Sequence, residues 1–264
     1  MIRVGVLGAL GRMGREVCRA VAADPETALV AAIDAAAAGE SVVGDDANGA
    51  VRISDELDTL TQAEVDVAVD FTHPDAVMDN IRWCVRHAVH LVVGTTGLSV
   101  QDLEEIGKLI EEEGSESNVF VAPNFALGAV LMMRFASQAA RFFPDVEIIE
   151  LHHDRKADAP SGTALRTAQE IAAARGAAPQ PKVVSKESVS GARGGTVDGI
   201  AIHSVRLPGL VAHQEVILGG PGQSLTIRHD SYDRAGFMPG VLLAVKQIHA
   251  HPGLTVGLEN VLEL

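Results

Sequence analysis

Aromatic side chains make up only 3% of the 264 residues, with one Trp and one Tyr. The stacking platforms that hold single-stranded nucleic acid are therefore missing. Positive charge is scarce too: 21 Lys and Arg stand against 35 Asp and Glu, for a net charge of −14. Such a surface field repels nucleic acid and anionic membrane alike, so neither is expected as a partner. No apolar run reaches the ~18 residues that a membrane-spanning helix needs. The first residues, MIRVGVLG, enter a strand pattern at once, without the basic-then-apolar layout of an export signal, and a cytoplasmic location is expected. The only two cysteines, Cys18 and Cys84, sit among apolar neighbours in helical patterns. They give no disulfide framework and no metal-ligand spacing, which suits a reducing compartment.

What is present is an aliphatic, globular composition, 47% hydrophobic and 21% charged. The chain is long enough for one large domain or two ordinary ones. A small-molecule enzyme is the leading class, and in a protein this acidic an anionic ligand would have to be held by local cations.

Strand and helix patterns alternate through the first half. An apolar run at 2–7 ends at Gly8, a periodic stretch at 12–23 reads as a helix, and "LVAAID" at 29–34 is a second strand ending in an acid. Residues 35–51, rich in Ala, Gly and Asp, read as a mobile loop. Strands at 65–71, 91–93 and 119–122 follow, with helices at 74–87 and 100–113 between them. Parallel strands need crossover helices, so this order predicts an α/β, Rossmann-like, doubly wound parallel sheet. Later residues change rhythm: a long helix at 127–142, the strand "DVEIIELHH", a helix at 161–174, a glycine-rich loop at 191–199, and strands at 201–207, 211–218 and 224–229. A second, α+β domain on a mixed sheet is expected at 125–235, with a helix at 234–250 returning to a dinucleotide-binding domain made of 1–124 and 236–264.

"GALGRMG" sets Gly8, Gly11 and Gly14 in a Gly-x-x-Gly-x-x-Gly turn, with Ala9, Leu10, Arg12 and Met13 between them. Backbone can approach a pyrophosphate there, and the amides at the helix start supply an anion site. The turn follows a strand, opens a helix, and has Asp34 twenty residues beyond Gly14, which together favour a dinucleotide over an ordinary tight turn. Asp34 can accept both ribose hydroxyls. The residue after it is Ala35, so the nearest cation for a 2′-phosphate is Arg12, itself readable as a solvated first-turn side chain. "FTHP" with Phe71 and Thr72, "GTTG" with Gly94, Thr95 and Thr96, and "APNF" with Ala122, Pro123, Asn124 and Phe125 all fall where strands end. Each alone is readable as a strand-end turn; together they would line one crevice and offer hydroxyls and an amide to a nicotinamide.

The densest polar chemistry is "ELHHDRKADAPSGTA", residues 150–164. Ser161 is a natural N-cap, and Gly162 and Thr163 expose amides at a helix start that can bind a carboxylate. Lys156 precedes that start by five residues and His152 by nine, which would put an ammonium and an imidazole near a gripped anion. On a straight strand His152 and His153 face opposite sides, so both turn inward only if the strand ends here. His203, His213 and His229 lie in strand patterns and are weaker candidates. No cysteine or carboxylate joins the histidines at ligand spacing, and no metal is expected. The bland alternative is a capped helix behind a polar loop.

This stretch resembles the signature of the 4-hydroxy-tetrahydrodipicolinate reductase family, and "GALGRMG", "DFTHP", "GTTG", "APNFALG" and "HDSYDRAGFMPGVLLAV" follow in that family's order. The resemblance implies NADH or NADPH as cofactor and a small dianionic substrate, reduced in diaminopimelate and lysine biosynthesis. It implies His152 as proton donor, Lys156 as second acid and carboxylate partner, His153 as substrate contact, and Gly162 with Thr163 as the carboxylate cradle. It implies cofactor contacts along 8–13, Asp34, 94–96 and 122–125. Two departures stand out: Ala35 replaces a basic residue, which puts strict NADPH preference in doubt, and the 35–51 connection is long. The glycine turn alone leaves open another two-domain dehydrogenase of an amino or sugar acid, or a non-catalytic NAD sensor. A homotetramer is expected, since two helices cannot cover both faces of the second sheet and a face carrying Val205, Leu207, Val216 and Leu218 would seek a partner. The family resemblance points the same way.

Overall fold

The computed structural model describes residues 1–36, 39–42, 49–176 and 186–262. They form two compact units, Met1–Phe125 with Phe237–Leu264, and Ala126–Gly236. Unit 1 begins as β1 (Ile2–Leu7), α1 (Arg12–Ala23), β2 (Thr27–Ile33), β3 (Ser41–Val42), β4 (Val51–Ser54), α2 (Thr59–Gln62) and β5 (Val67–Asp70). It continues as α3 (Pro74–Arg86), β6 (His90–Val93), α4 (Val100–Glu113) and β7 (Val119–Val121). Unit 2 is α5 (Leu127–Ala139), β8 (Asp145–His152), α6 (Gly162–Arg175), β9 (Gly195–Val197), β10 (Ile200–Arg206), β11 (Ala212–Gly220) and β12 (Gln223–Ser231). The chain then returns to unit 1 as α7 (Met238–Gln247) and β13 (Leu254–Val256).

In unit 1 the strands run in the order β13-β7-β6-β5-β1-β2-β4-β3, and every ladder but β3–β4 is parallel. Strands buried on both faces read as unbroken apolar runs, as in "VAVD" and "HLVV". Leu7, Ala68, Leu91, Val93 and Val121 pack with Val77, Ile81, Ile106 and Ile110 of α3 and α4. Their strand neighbours Val4, Val6, Val67, Val69, Val92 and Phe120 are equally buried, and alternation along a strand sends them to the opposite face. The returning segment is fastened by Asn118, whose amide nitrogen donates to the Ile248 carbonyl at 3.0 Å and whose oxygen accepts from the Gly253 amide at 3.0 Å. Lys246 of α7 bonds Asp24 at 2.8 Å and Glu26 at 2.6 Å beside α1.

The sheet of unit 2 has the order β12-β11-β8-β10-β9, mixed because β8 and β10 are parallel while the other ladders are antiparallel. Glu150 bonds the start of α6, and Gln214, its neighbour in register, bonds Thr167 within α6, so α6 lies on the Ile148–Glu150 side. The two helices pack on each other and on this sheet.

Several expectations need correction. Val216 pairs in register with Ile148 and is buried on the helix side with Leu218, so the face expected to carry Val205, Leu207, Val216 and Leu218 is not one face. The opposite side carries Ile149, Leu151 and Ile217, all half-buried, together with the pairs His203–Glu147 and His213–Asp230. The 35–51 stretch is not wholly loop: β3 pairs with the start of β4, while 37–38 and 43–48 lie outside the described residues. The 191–199 loop contains β9, joined to β10 by Asp198 (φ 48°) and Gly199 (φ 80°). Positive φ at both central residues matches the right-handed twist of the flanking strands, which makes a two-residue hairpin. The helix expected at 127–142 stops at Ala139, ahead of Pro144, and that expected at 234–250 is α7 flanked by 3₁₀ turns at Arg234–Phe237 and Ile248–Ala250.

Candidate active site

β1 hands over to α1 through Gly8, whose φ is +75° and where a Cβ would lie 2.7 Å from the Phe71 carbonyl oxygen. At Gly14 a Cβ would fall inside the Gly8 carbonyl, so the helix can lie this close to the strand only with glycine there. Gly11 is the N-cap of α1, leaving the first-turn amides of Arg12 and Met13 without carbonyls inside the helix. Asp34, one residue past β2, accepts from the Leu10 amide at 2.9 Å and the Ala36 amide at 3.0 Å. Its carboxylate is thereby fixed against the glycine turn.

The other expected cofactor residues follow β5, β6 and β7, which run outward in that order from β1 on the side away from β2, at the carboxyl edge of the parallel sheet. Asp70, 0% exposed, organises them, and nothing in the sequence pattern singled it out. It accepts from the Thr72 hydroxyl at 2.7 Å, the Thr95 hydroxyl at 2.7 Å and the Asn80 amide at 2.7 Å. The hydroxyls of Thr72 and Thr95, expected to face a nicotinamide, donate inward instead. Ala9, Ala122 and Phe125 are core side chains, with the Phe125 ring 5.9 Å from Phe71 and 6.3 Å from Phe120. They can meet a ligand through backbone alone, whereas Arg12, Thr96 and Pro123 are exposed and Gly94 and Asn124 half-buried. Glycines that leave room for backbone approach, amides at a helix start and an acid at the next strand end fit a dinucleotide.

In unit 2 the expected residues gather around a carboxylate that was not foreseen. Glu150 is 0% exposed and faces the same side of β8 as His152. His152 Nδ1 lies 2.5 Å from Glu150 Oε2. Arg206, next to His152 in register on β10, grips the carboxylate with both ends of its fork at 2.8 Å, and the Ser161 amide donates to Oε1 at 3.2 Å. Ser161 also caps α6 as expected, its hydroxyl accepting from the Ala164 amide at 3.2 Å. Beside it Gly162 is exposed, with open space where a Cβ would be, and Thr163 is half-buried. Lys156, 24% exposed along its side chain, pairs with Asp158 at 2.8 Å. β8 ends at His152, so His153 is the first residue beyond it; its Nδ1 is buried without a hydrogen-bond partner among the described residues.

Burial pushes the Glu150 carboxyl up, but hydrogen bonds from Arg206, Ser204 and His152 outweigh it and hold the group below the usual range. Burial pushes His152 down further than Glu150 lifts it, and Lys156 and Arg206 push it down again. His152, Lys156 and the start of α6 are thus brought together. His203 and His213 are not: they pair with Glu147 and Asp230 on the other face of the sheet, in register with Ile149 and Leu151. His229 packs against Gly128 at the start of α5. Glu150 was readable as two residues before a histidine on one strand, hence on the same face. Arg206 had no such signal, because only sheet register brings it near.

Known proteins match both units. The family description "Dihydrodipicolinate reductase, N-terminus" fits residues 2–125 and "Dihydrodipicolinate reductase, C-terminus" fits residues 128–262. The chain is 52% identical over 266 residues to the 4-hydroxy-tetrahydrodipicolinate reductase of Nocardia farcinica, covering 100% of this chain and 99% of that protein. It is 50% identical over 265 residues to the protein of the same name from Corynebacterium diphtheriae, covering 100% and 99%. The fold is similar to that of dipicolinate-bound dihydrodipicolinate reductase from Paenisporosarcina sp. TG-14, with a TM-score of 0.88 and 45% identity over 99% of this chain and 100% of that one.

Proposed function

Since the chain belongs to the dihydrodipicolinate reductase family and carries out the NAD(P)H-dependent reduction of 4-hydroxy-tetrahydrodipicolinate to tetrahydrodipicolinate in diaminopimelate and lysine biosynthesis, we propose that His152 delivers the proton and that Lys156 and the start of α6 hold the substrate's carboxylates. Membership in the family decides against another dehydrogenase of an amino or sugar acid and against the NAD sensor, both of which the glycine turn alone leaves open.

One observation carries the assignment: Glu150 takes the His152 ring on one oxygen and the Ser161 amide on the other, so a proton donor and an anion-binding helix start share one anchor. When bound, NAD(P)H would supply a hydride to C4 of the conjugated imine left once the 4-hydroxyl and a proton of the adjacent ring carbon have departed as water. His152 supplies the proton that completes the reduction. Lys156 offsets the charge of a dianion in an acidic protein, with Ser161, Gly162 and Thr163 presenting hydroxyl and amides and His153 contacting the same ligand. In unit 1 the backbone of residues 8–13 would receive the pyrophosphate and Asp34 the ribose, with Phe71, Thr72, 94–96 and 122–125 left for the nicotinamide half.

A cytoplasmic homotetramer is the form this reading favours. Two free, buried cysteines suit a reducing compartment, and within unit 2 α6 and the α5 packed on it leave the His203–His213 side of the sheet for another copy.

The test is kinetic. His152→Gln cannot donate an acidic proton, so kcat should fall by roughly 10²-fold or more while KM moves little. Lys156→Ala should lower both kcat and affinity for pyridine-2,6-dicarboxylate, by the ~2–5 kcal/mol typical of truncating a desolvated charge pair. Cofactor affinity should survive both changes. Near-normal turnover of His152→Gln would reduce the stretch to a capped helix behind a polar loop.

A further inference from the structure

Behind His152 lies a buried ion pair that the proposed chemistry does not itself use. A carboxylate without solvent exposure persists only when its lone pairs are answered, and those of Glu150 are. Oε2 accepts from His152 Nδ1 at 2.5 Å and Arg206 Nη1 at 2.8 Å, and Oε1 accepts from Arg206 Nη2 at 2.8 Å and the Ser161 amide at 3.2 Å. Arg206 is in turn tied to the Asp158 carbonyl at 2.6 Å and its own strand's Val205 carbonyl at 2.8 Å, so the fork cannot swing away.

An ionised carboxylate can only accept, so the proton between the two groups sits on Nδ1 of the ring. In a neutral imidazole the other nitrogen, Nε2, is then the one without hydrogen. We propose that Glu150, clamped by Arg206, is a positioning residue that fixes His152 as the Nδ1–H tautomer and so makes Nε2 the nitrogen that releases and recovers the proton. This rests on the reading of His152 as proton donor and extends it to what makes that residue competent. The proton balance is simple. The imidazolium loses the Nε2 proton to the substrate carbon framework, the neutral ring keeps its Nδ1 proton on Glu150, and Glu150 stays ionised throughout.

The charged groups facing the ring are Glu150 on its own strand, Arg206 on β10 and Lys156 in the following loop, with the Asp158 carboxylate held by Lys156 and its backbone carbonyl by Arg206. A dianion arriving beside Lys156 shifts this balance toward the imidazolium, and the Nδ1–H bond to Glu150 is what holds that cation in a buried site.

Glu150→Gln separates the possibilities. A glutamine has one acceptor and one donor end, and on the Oε1 side both Arg206 Nη2 and the Ser161 amide are donors that cannot reverse. The Oε2 side meets one such donor, Arg206 Nη1, against two at Oε1, so the NH₂ is driven toward Oε2 at the cost of the Nη1 bond, and there the imidazole can switch tautomer and accept at Nδ1. With ¹⁵N-histidine labelling, and His152 assigned by difference against His152→Gln, the ring should change from Nδ1–H in the parent to predominantly Nε2–H in Glu150→Gln. Turnover should fall at least tenfold with substrate KM shifted by less than about threefold. Activity that needs an acid falls as pH rises through that acid's pKa, so the alkaline limb of kcat/KM should move to lower pH once the imidazolium has lost its carboxylate. Glu150→Asp should recover part of both. If Glu150→Gln does not fold, Arg206→Lys keeps the cation without the fork and should give mixed tautomers and intermediate turnover. Parental tautomer and pH limb in the folded variants, with His152→Gln inactive, would overturn the role of Glu150. A tautomer change in Glu150→Gln beside an active His152→Gln would uphold the positioning and instead sink the proton-donor reading.

Discussion

Asp34 uses one carboxylate oxygen for the Leu10 amide and the other for the Ala36 amide, so its charge stands where an adenosine ribose would lie against the glycine turn. A 2′-phosphate there would meet a like charge, and two such charges about 4 Å apart repel by up to ~4 kcal/mol at an effective dielectric near 20. The two amides and the exposed Arg12 reduce that figure. NADH should therefore bind at least as tightly as NADPH in calorimetric titrations; a tenfold preference for NADPH would show that Arg12 or another cation dominates. At this scale the sequence was uneven. The spacing of His152, Lys156 and Ser161 could be read directly, because a capping serine and its neighbours are local. Glu150 sits in the same fifteen residues, and its spacing puts it on the face of His152, yet its part as an anchor emerges only when Arg206, 56 positions away, is laid beside it. Asp70 hides for the same reason, its meaning supplied by hydroxyls on two different strand-end turns.

Helix α6 shows what one element can do at both ends of one residue. Ser161 closes the helix with its hydroxyl and binds Glu150 with its amide. Ser161→Ala removes only the first bond, so stability should drop by about 1 kcal/mol, the usual worth of an N-cap. In urea titration the midpoint should fall with the slope unchanged; an unchanged midpoint would mean that the α6 amides are satisfied some other way. Elements with strong local signals were legible, such as α4, which opens on the capping box of Ser99 and Asp102. The Asp198-Gly199 hairpin carried an equally local signal that a glycine-rich context concealed. β3 and β13, of two and three residues, are too short to show any period, and exist only because a neighbouring strand offers an edge to pair with. The overlong reading of α5 came from its aliphatic composition. Pro144 disfavours helical backbone just before it, and Phe142, 84% exposed, lies past the last turn.

For the molecule as a whole, unit 2 leaves one sheet face without a helix from the unit's own described residues, and that face mixes half-buried Ile149, Leu151 and Ile217 with ion pairs. A second such face is a fitting cover, and closed symmetry then limits growth. Light scattering at micromolar concentration should give four times the chain mass of 27.6 kDa; a single monomeric mass would refute the assembly. The division into units has a further consequence in time. β13 adds to β7 in parallel, yet residues 126–236 separate the first piece of unit 1 from the second. On the ribosome β7 is therefore an open edge until residues 254–256 have emerged, and an open parallel edge invites pairing with the wrong strand. The sheet of unit 1 is thus sealed only after the whole of unit 2 has been translated.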